Sequence, residues 1–212
     1  MSTVKIYGVA FSRSIANIWA ALELGIPYER VPIGWHDNSI YSEAYRAINP
    51  NRRVPCLQDG DFILWETMAI NLYLAKKQGG AMAPKGLRED ALMTQWSFWS
   101  ALQLERPLGQ FAYNTYINDP PDRNAEVAGK AWSELQPLFA VLDAQLARTI
   151  YLVGDRFTIA DLNVAAMFFR PRRGGPIDLG PYPNLKRWEA AVFARPMAEK
   201  AWQVRQVDAD RY

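Results

Sequence analysis

The stretch NRRVPCLQDGDFILWETMAI, residues 51 to 70, sets a proline, a carboxylate and a hydroxyl around a predicted pair of strands. Asp59-Gly60, between VPCLQ and FILWE, is a strong signal for an antiparallel hairpin. Pro55 opens the first of these strands, where it has no N–H to give a sheet. Such a proline is tolerated when that position faces away from a neighbour. X–Pro bonds also adopt the cis form. A cis Val54–Pro55 bond would swing the Val54 backbone outward, leaving its N–H and C=O to pair with a bound extended peptide as an added strand. Glu66 and Thr67 follow the second strand at the start of a helix. The unpaired N–H groups and positive dipole end there make a carboxylate site. Thr67 adds a hydroxyl to the same anion, and Glu66 is suited to a cationic amine. A backbone edge, an anion site and an acid together describe a receptor for a short zwitterionic peptide.

The elements that must hold these groups follow from periodicity. Residues 3 to 9 alternate and read as a strand. Ile15, Ile18, Trp19 and Leu22 follow at helical spacing, with Gly25 as a stop. Tyr28 to Ile33 reads as a second strand, so the start is a β-α-β unit with a parallel pair. A short helix is expected near Ser42 to Ile48. After the hairpin, Thr67 to Lys77 carries an apolar stripe, ends in Lys76 and Lys77, and stops at Gly79-Gly80.

Beyond AMAPKGLRED no further strand is evident. Residues 88 to 117 are helix-like and aromatic, and Pro120-Pro121 interrupts the chain. Trp132, Leu135, Phe139, Leu142 and Leu146 repeat at helical spacing, and Pro137 should kink that helix or mark its start. FTIADL opens another helix, with Thr158 and Asp161 at capping-box spacing. RPRR at 170–173 is expected as a solvated loop, and one last amphipathic helix begins near Asn184.

The expected architecture is a small α/β domain over residues 1–79 and an all-helical domain over 88–212. The 212 residues carry 50% hydrophobic and 22% charged side chains, which suits a soluble globular protein. A net charge of +2 argues for neither nucleic acid nor an anionic membrane as partner. A single Cys excludes an internal disulfide and points to a reducing compartment. No apolar run is long enough to span a bilayer, and the start MSTVKIYGVAF is too short and mixed for a signal peptide. A cytoplasmic protein is expected. No Cys/His/acid cluster suggests a metal site.

The order β-α-β-β-β-α, the segment Asn49-Pro50 followed by Val54-Pro55, the Asp59-Gly60 hairpin and the ETMAI helix start resemble the glutathione site of the cytosolic glutathione S-transferases. GDRFTIADL, YPNLKRW and ARP resemble motifs of that family's C-terminal domain. The likeness spans nearly the whole chain and is of the Ser-type, bacterial-like or phi/zeta-like kind. It implies a thioredoxin-like N-terminal domain, a C-terminal helical bundle and usually a homodimer. It implies that the Val54 backbone binds the cysteinyl part of glutathione, beside the cis-proline Pro55. Glu66 and Thr67 would hold the γ-glutamyl end, and Arg53 stands where many members have Gln or Lys. Arg52 stands where Gly is common.

The reactive form of glutathione is its thiolate. Lowering the thiol pKa by about two units takes roughly 2.7 kcal/mol of preferential binding to the anion. The family places a hydroxyl or thiol at the end of the first strand for this. Ser12 falls at the Ser-type position, with Ser14 as the alternative. Tyr7 lies inside the strand. No cysteine lies near residues 11 to 14, and Cys56 is expected to point into the core. Phe11 and Tyr113 are candidates for the second-substrate pocket. The implied activity is conjugation of glutathione, as co-substrate, to a small apolar electrophile. Peroxide reduction, isomerisation, dehalogenation, or a non-catalytic glutathione-binding scaffold are the alternatives.

Overall fold

Alternation in the first residues produces β1 (Val4–Tyr7), with Val4 and Ile6 completely buried. The structure, a computed structural model, describes residues 3–169, 175 and 177–211; the RPRR run at 170–173 lies outside them. Helix α1 (Ser14–Leu24) follows and ends at Gly25, whose φ of 63° is the left-handed cap that glycine adopts freely. Strand β2 (Tyr28–Val31) pairs parallel with β1, closing the β-α-β unit. A short helix α2 (Glu43–Ile48) is capped by the Ser42 hydroxyl, which accepts from the Tyr45 N–H. Strands β3 (Cys56–Asp59) and β4 (Phe62–Trp65) form the expected hairpin, and α3 (Thr67–Gln78) follows directly. The sheet order is β2-β1-β3-β4, with β3 antiparallel to β1. This is the thioredoxin-like arrangement.

Two buried asparagines tie α1 to α3. Asn17 Nδ2 donates to the Thr67 carbonyl at 3.0 Å and to Asn71 Oδ1 at 2.7 Å. Both side chains are fully buried, so these bonds are strong constraints on where α3 begins.

The chain divides into two compact units: Met1–Ala83 together with Ala194–Tyr212, and Pro84–Phe193. The second unit is helical. Its first long segment is α4 (Leu87–Trp99), a π-helical stretch Ser100–Leu104, α5 (Glu105–Ala112) and a second π stretch Tyr113–Ile117. Pro107 cannot donate to the carbonyl four residues back and crowds it, and the helix is widened just before it. Helix α6 (Ala125–Leu146) starts at an Asn124 cap and runs on through Pro137, so Pro137 does not mark its start. Helix α7 (Ile159–Ala166) carries the capping box. Asp161 Oδ2 accepts from the Thr158 N–H and hydroxyl, and its Oδ1 accepts from Leu152 N–H and Trp188 Nε1–H.

The single last helix expected from Asn184 is two: α8 (Pro183–Phe193) and α9 (Pro196–Arg211). Pro196 suits a first helical position and not an interior one, which divides them. Helix α9 packs on α1, so the chain end belongs with the first unit and not with the helical one. Arg195 grips both carboxylate oxygens of Glu23 on α1, at 2.8 and 2.7 Å.

Candidate functional site

One cleft in the first unit is lined by Arg13, Asn49, Asn51, Arg53, Val54, Pro55, Trp65, Glu66 and Thr67. The Val54–Pro55 peptide is cis. Val54 stands just before β3, whose ladder starts at Cys56, so its backbone lies outside the sheet's pairing. The preceding carbonyl, of Arg53, is held from two sides: the Tyr45 hydroxyl donates to it at 2.6 Å and Asn49 Nδ2 at 2.7 Å. Tyr45 and Asn49 are both almost fully buried. Asn49 Oδ1 in turn accepts from the Asn51 N–H. Arg52 sits at φ 50°, a left-handed conformation that explains why glycine suits this position, and its guanidinium pairs with Glu43.

Glu66 is the residue before α3 and holds φ 77°, ψ 119°. A non-glycine residue at such angles carries strain of about 1–3 kcal/mol, and such residues gather at binding sites. Its exposed side chain does not cap α3; among the described residues no side chain does. The first turn of α3 therefore starts without a side-chain cap where Glu66 and Thr67 line the cleft, at the positive end of a twelve-residue helix. The Thr67 hydroxyl is buried and has no hydrogen-bond partner among the described residues. Such a group costs free energy until something accepts or donates to it. An acceptor that satisfies N–H groups and a hydroxyl together is a carboxylate.

The serines lie one loop away. Ser12 Oγ donates to the Val9 carbonyl at 2.6 Å and accepts from the Ser14 N–H at 3.1 Å. The two hydroxyls are 2.9 Å apart, and Ser14 Oγ also lies 3.4 Å from the Tyr7 carbonyl. Ser12 retains 7% of its surface, whereas Ser14 retains none. Ser14 is sealed beneath Gly8: a Cβ at Gly8 would come 1.9 Å from Ser14 Oγ and 3.0 Å from the Val54 Cβ. Gly8 has φ 131°, so this close approach needs glycine on both counts.

The other thiol-activating candidates are engaged elsewhere. The Tyr7 hydroxyl donates to Gln58 Oε1 at 2.6 Å, and burial pushes its pKa up. Cys56 is fully buried among Tyr7, Ile40 and Tyr45, and burial pushes its thiol up to about 11. Phe11 stacks edge-on against Trp35, with centroids 5.4 Å apart. Tyr113 belongs to the second unit, in its second π stretch, and is partly exposed. Among the described residues no group of three or more His, Cys, Asp or Glu is placed to hold a metal, and no helix is long and apolar enough to cross a membrane.

The expected residues Arg53, Val54, Pro55, Glu66 and Thr67 thus meet in one cleft. Asn49, part of the segment that carries the resemblance, lines it as well; Arg13, Asn51 and Trp65 do too and were not read from the sequence. Arg13 carried a usable signal, a cation directly after a candidate serine at a helix start.

Residues 2–76 match the family model for the glutathione S-transferase N-terminal domain, and 104–196 match that for the C-terminal domain. Glutathione S-transferase 3 of Zea mays is 31% identical over 215 residues, covering 94% of this chain and 93% of that protein. The structure superposes on the theta class glutathione S-transferase of Xanthomonas axonopodis pv. citri with glutathione bound (TM-score 0.86, 30% identity, 95% of this chain and 97% of that one). It also superposes on maize glutathione S-transferase I in complex with an atrazine glutathione conjugate (TM-score 0.87, 27% identity, 97% and 99%).

Proposed function

The chain belongs to the glutathione S-transferase family and is a glutathione S-transferase, and we propose that Ser12 is the hydroxyl that holds the glutathione sulfur as thiolate. Two features favour Ser12 over Ser14. It keeps some exposure, and it sits just ahead of the first turn of α1, at the positive end of the helix dipole. On binding, Ser12 turns its proton from the Val9 carbonyl to the sulfur. Ser14, 2.9 Å away, then has its own proton available for the Ser12 oxygen, which makes Ser12 the better donor.

The tripeptide is oriented by the rest of the cleft. Its γ-glutamyl carboxylate lies at the N-terminus of α3 and on the Thr67 hydroxyl, and its amine meets Glu66. The cysteinyl backbone pairs with that of Val54. Arg53 and Arg13 offer guanidinium groups to the remaining carboxylate. The observation that carries this reading is the uncapped start of α3 beside the unpartnered Thr67 hydroxyl and the Glu66 carboxylate.

The thiol proton passes to solvent, the thiolate attacks an electrophilic carbon, and the C–S bond forms as the leaving group departs or a double bond opens. The electrophile is small and apolar. The protein acts as a cytoplasmic homodimer in detoxification, binding neither nucleic acid nor membrane. The test is glutathione conjugation to a panel of apolar electrophiles by wild type, Ser12→Ala and Ser14→Ala. Loss confined to Ser12→Ala supports the assignment; loss confined to Ser14→Ala moves the role to Ser14.

A further inference from the structure

The loop that carries Ser12 is held by the far end of the chain. Within the first unit, Asp208 on α9 accepts the Ala10 N–H at 2.6 Å. Arg205, one helical turn earlier on the same face, donates to the Ala10 carbonyl at 3.2 Å. Both side chains are buried, at 2% and 5% exposure. Asp208 is in turn ion-paired to Arg30 on β2. Ala10 therefore has both its backbone polar groups bound by side chains from almost two hundred residues away.

The Ala10 N–H belongs to the same planar peptide unit as the Val9 C=O. That carbonyl accepts both the Ser12 N–H, at 3.0 Å, and the Ser12 hydroxyl, at 2.6 Å. A carboxylate bonded to one side of this peptide sets its tilt and draws charge onto its oxygen. Ser12 reads that tilt through two bonds on the other side. Two further anchors of the loop, Gly8 N–H to Val31 O and Val9 N–H to Ile33 O, act on the peptides before this one.

We infer that Asp208, with Arg205, is a positioning residue for the thiol-activating serine, so that α9 sets the geometry of the Ser12 hydroxyl. The inference rests on Ser12 as the thiolate's donor. Misplacing a catalytic group by about 1 Å can cost on the order of a hundredfold in rate, so a tilted peptide should be read in the chemistry before it is read in binding.

The test is a pH titration of the ultraviolet thiolate absorbance of bound glutathione, with kcat, KM and melting temperature measured alongside. Wild type, Ser12→Ala, Asp208→Ala, Asp208→Asn and Arg195→Ala are compared. Asp208→Ala is expected to raise the bound thiol pKa by about one unit, a tenfold change in thiolate affinity, and to lower kcat with little change in the glutathione KM. Asp208→Asn keeps an amide oxygen for the Ala10 N–H and should restore most of the shift. Arg195→Ala loosens α9 from Glu23 without touching the loop. It should lower the melting temperature and leave the thiol pKa alone.

The inference is overturned if Ser12→Ala shifts the thiol pKa and Asp208→Ala does not, or if Arg195→Ala shifts it as far as Asp208→Ala does. No shift in Ser12→Ala itself would instead remove the Ser12 assignment, and the positioning role with it. Should Asp208→Ala not fold, Arg205→Met takes its place, with a smaller shift in the same direction expected and a wild-type pKa counting against the clamp.

Discussion

Replacing Thr67 by Val should move stability and affinity in opposite directions. The two side chains have nearly the same shape and similar helix propensity, so packing and the start of α3 are kept. In the free protein the Thr67 hydroxyl is buried without a partner. A group left in that state costs about 1–3 kcal/mol. Removing it should leave the free protein as stable or raise its melting point by about 2–4 °C for each kcal/mol recovered in a chain of this size. In the proposed complex the same hydroxyl donates to the γ-glutamyl carboxylate. A hydrogen bond to a charged group contributes about 1.5–3 kcal/mol, so its loss should weaken glutathione binding by roughly 10- to 100-fold. The assay is a thermal melt of both proteins with and without glutathione, together with calorimetric titration. The expected pattern is an unchanged or higher melting point without ligand, a smaller ligand-induced rise, and a larger dissociation constant. A lower melting point with an unchanged dissociation constant would refute the reasoning, because the hydroxyl's partner would then be within the protein.

Three further outcomes are expected. Arg13→Ala and Arg53→Ala should each raise the glutathione KM several-fold with kcat largely kept, and the effect should shrink in high salt because both guanidinium groups are exposed; steady-state kinetics at two ionic strengths checks this. Asn49→Ala removes a fully buried side chain that holds the Arg53 carbonyl and the Asn51 N–H, so it should destabilise the fold by about 1–3 kcal/mol and weaken glutathione binding, measured by urea unfolding and titration. Cys56, raised to about 11 by burial, should stay protonated and resist iodoacetamide at pH 8 until the protein is unfolded. Its folded pKa lies above the unfolded value, so the native state binds the extra proton between about pH 9 and 11, and the Cys56 contribution to stability declines across that window.

The expected groups that line the cleft, and the hairpin that carries them, were legible because each belongs to a local signal. Asp59-Gly60 can only turn a hairpin, Pro55 cannot join a ladder, and Glu66-Thr67 marks where a strand gives way to a helix. Gly25 closed α1 where its left-handed cap stands. The supports behind those groups were not legible, because they act across the fold. Nothing near Asn49 or Tyr45 announces that both hold the carbonyl of Arg53. Asn17 and Asn71 read as polar interruptions of apolar stripes until the two helices bring them together. The return of α9 to the first unit was missed because ARP was read as part of one helix, and only the contact with α1 shows where the chain end goes. Of the two roles read for Pro137, the helix start is excluded, since a proline on an exposed face can be carried inside a long helix whose other side is well buried.

The most direct test of the account is the thiol pKa of glutathione bound to wild type, Ser12→Ala and Ser14→Ala, read from thiolate absorbance against pH. The account predicts a depressed value in wild type that returns to that of free glutathione in Ser12→Ala and stays depressed in Ser14→Ala. A bound thiol with the free pKa in all three proteins would contradict it, since the site would then bind glutathione without activating it.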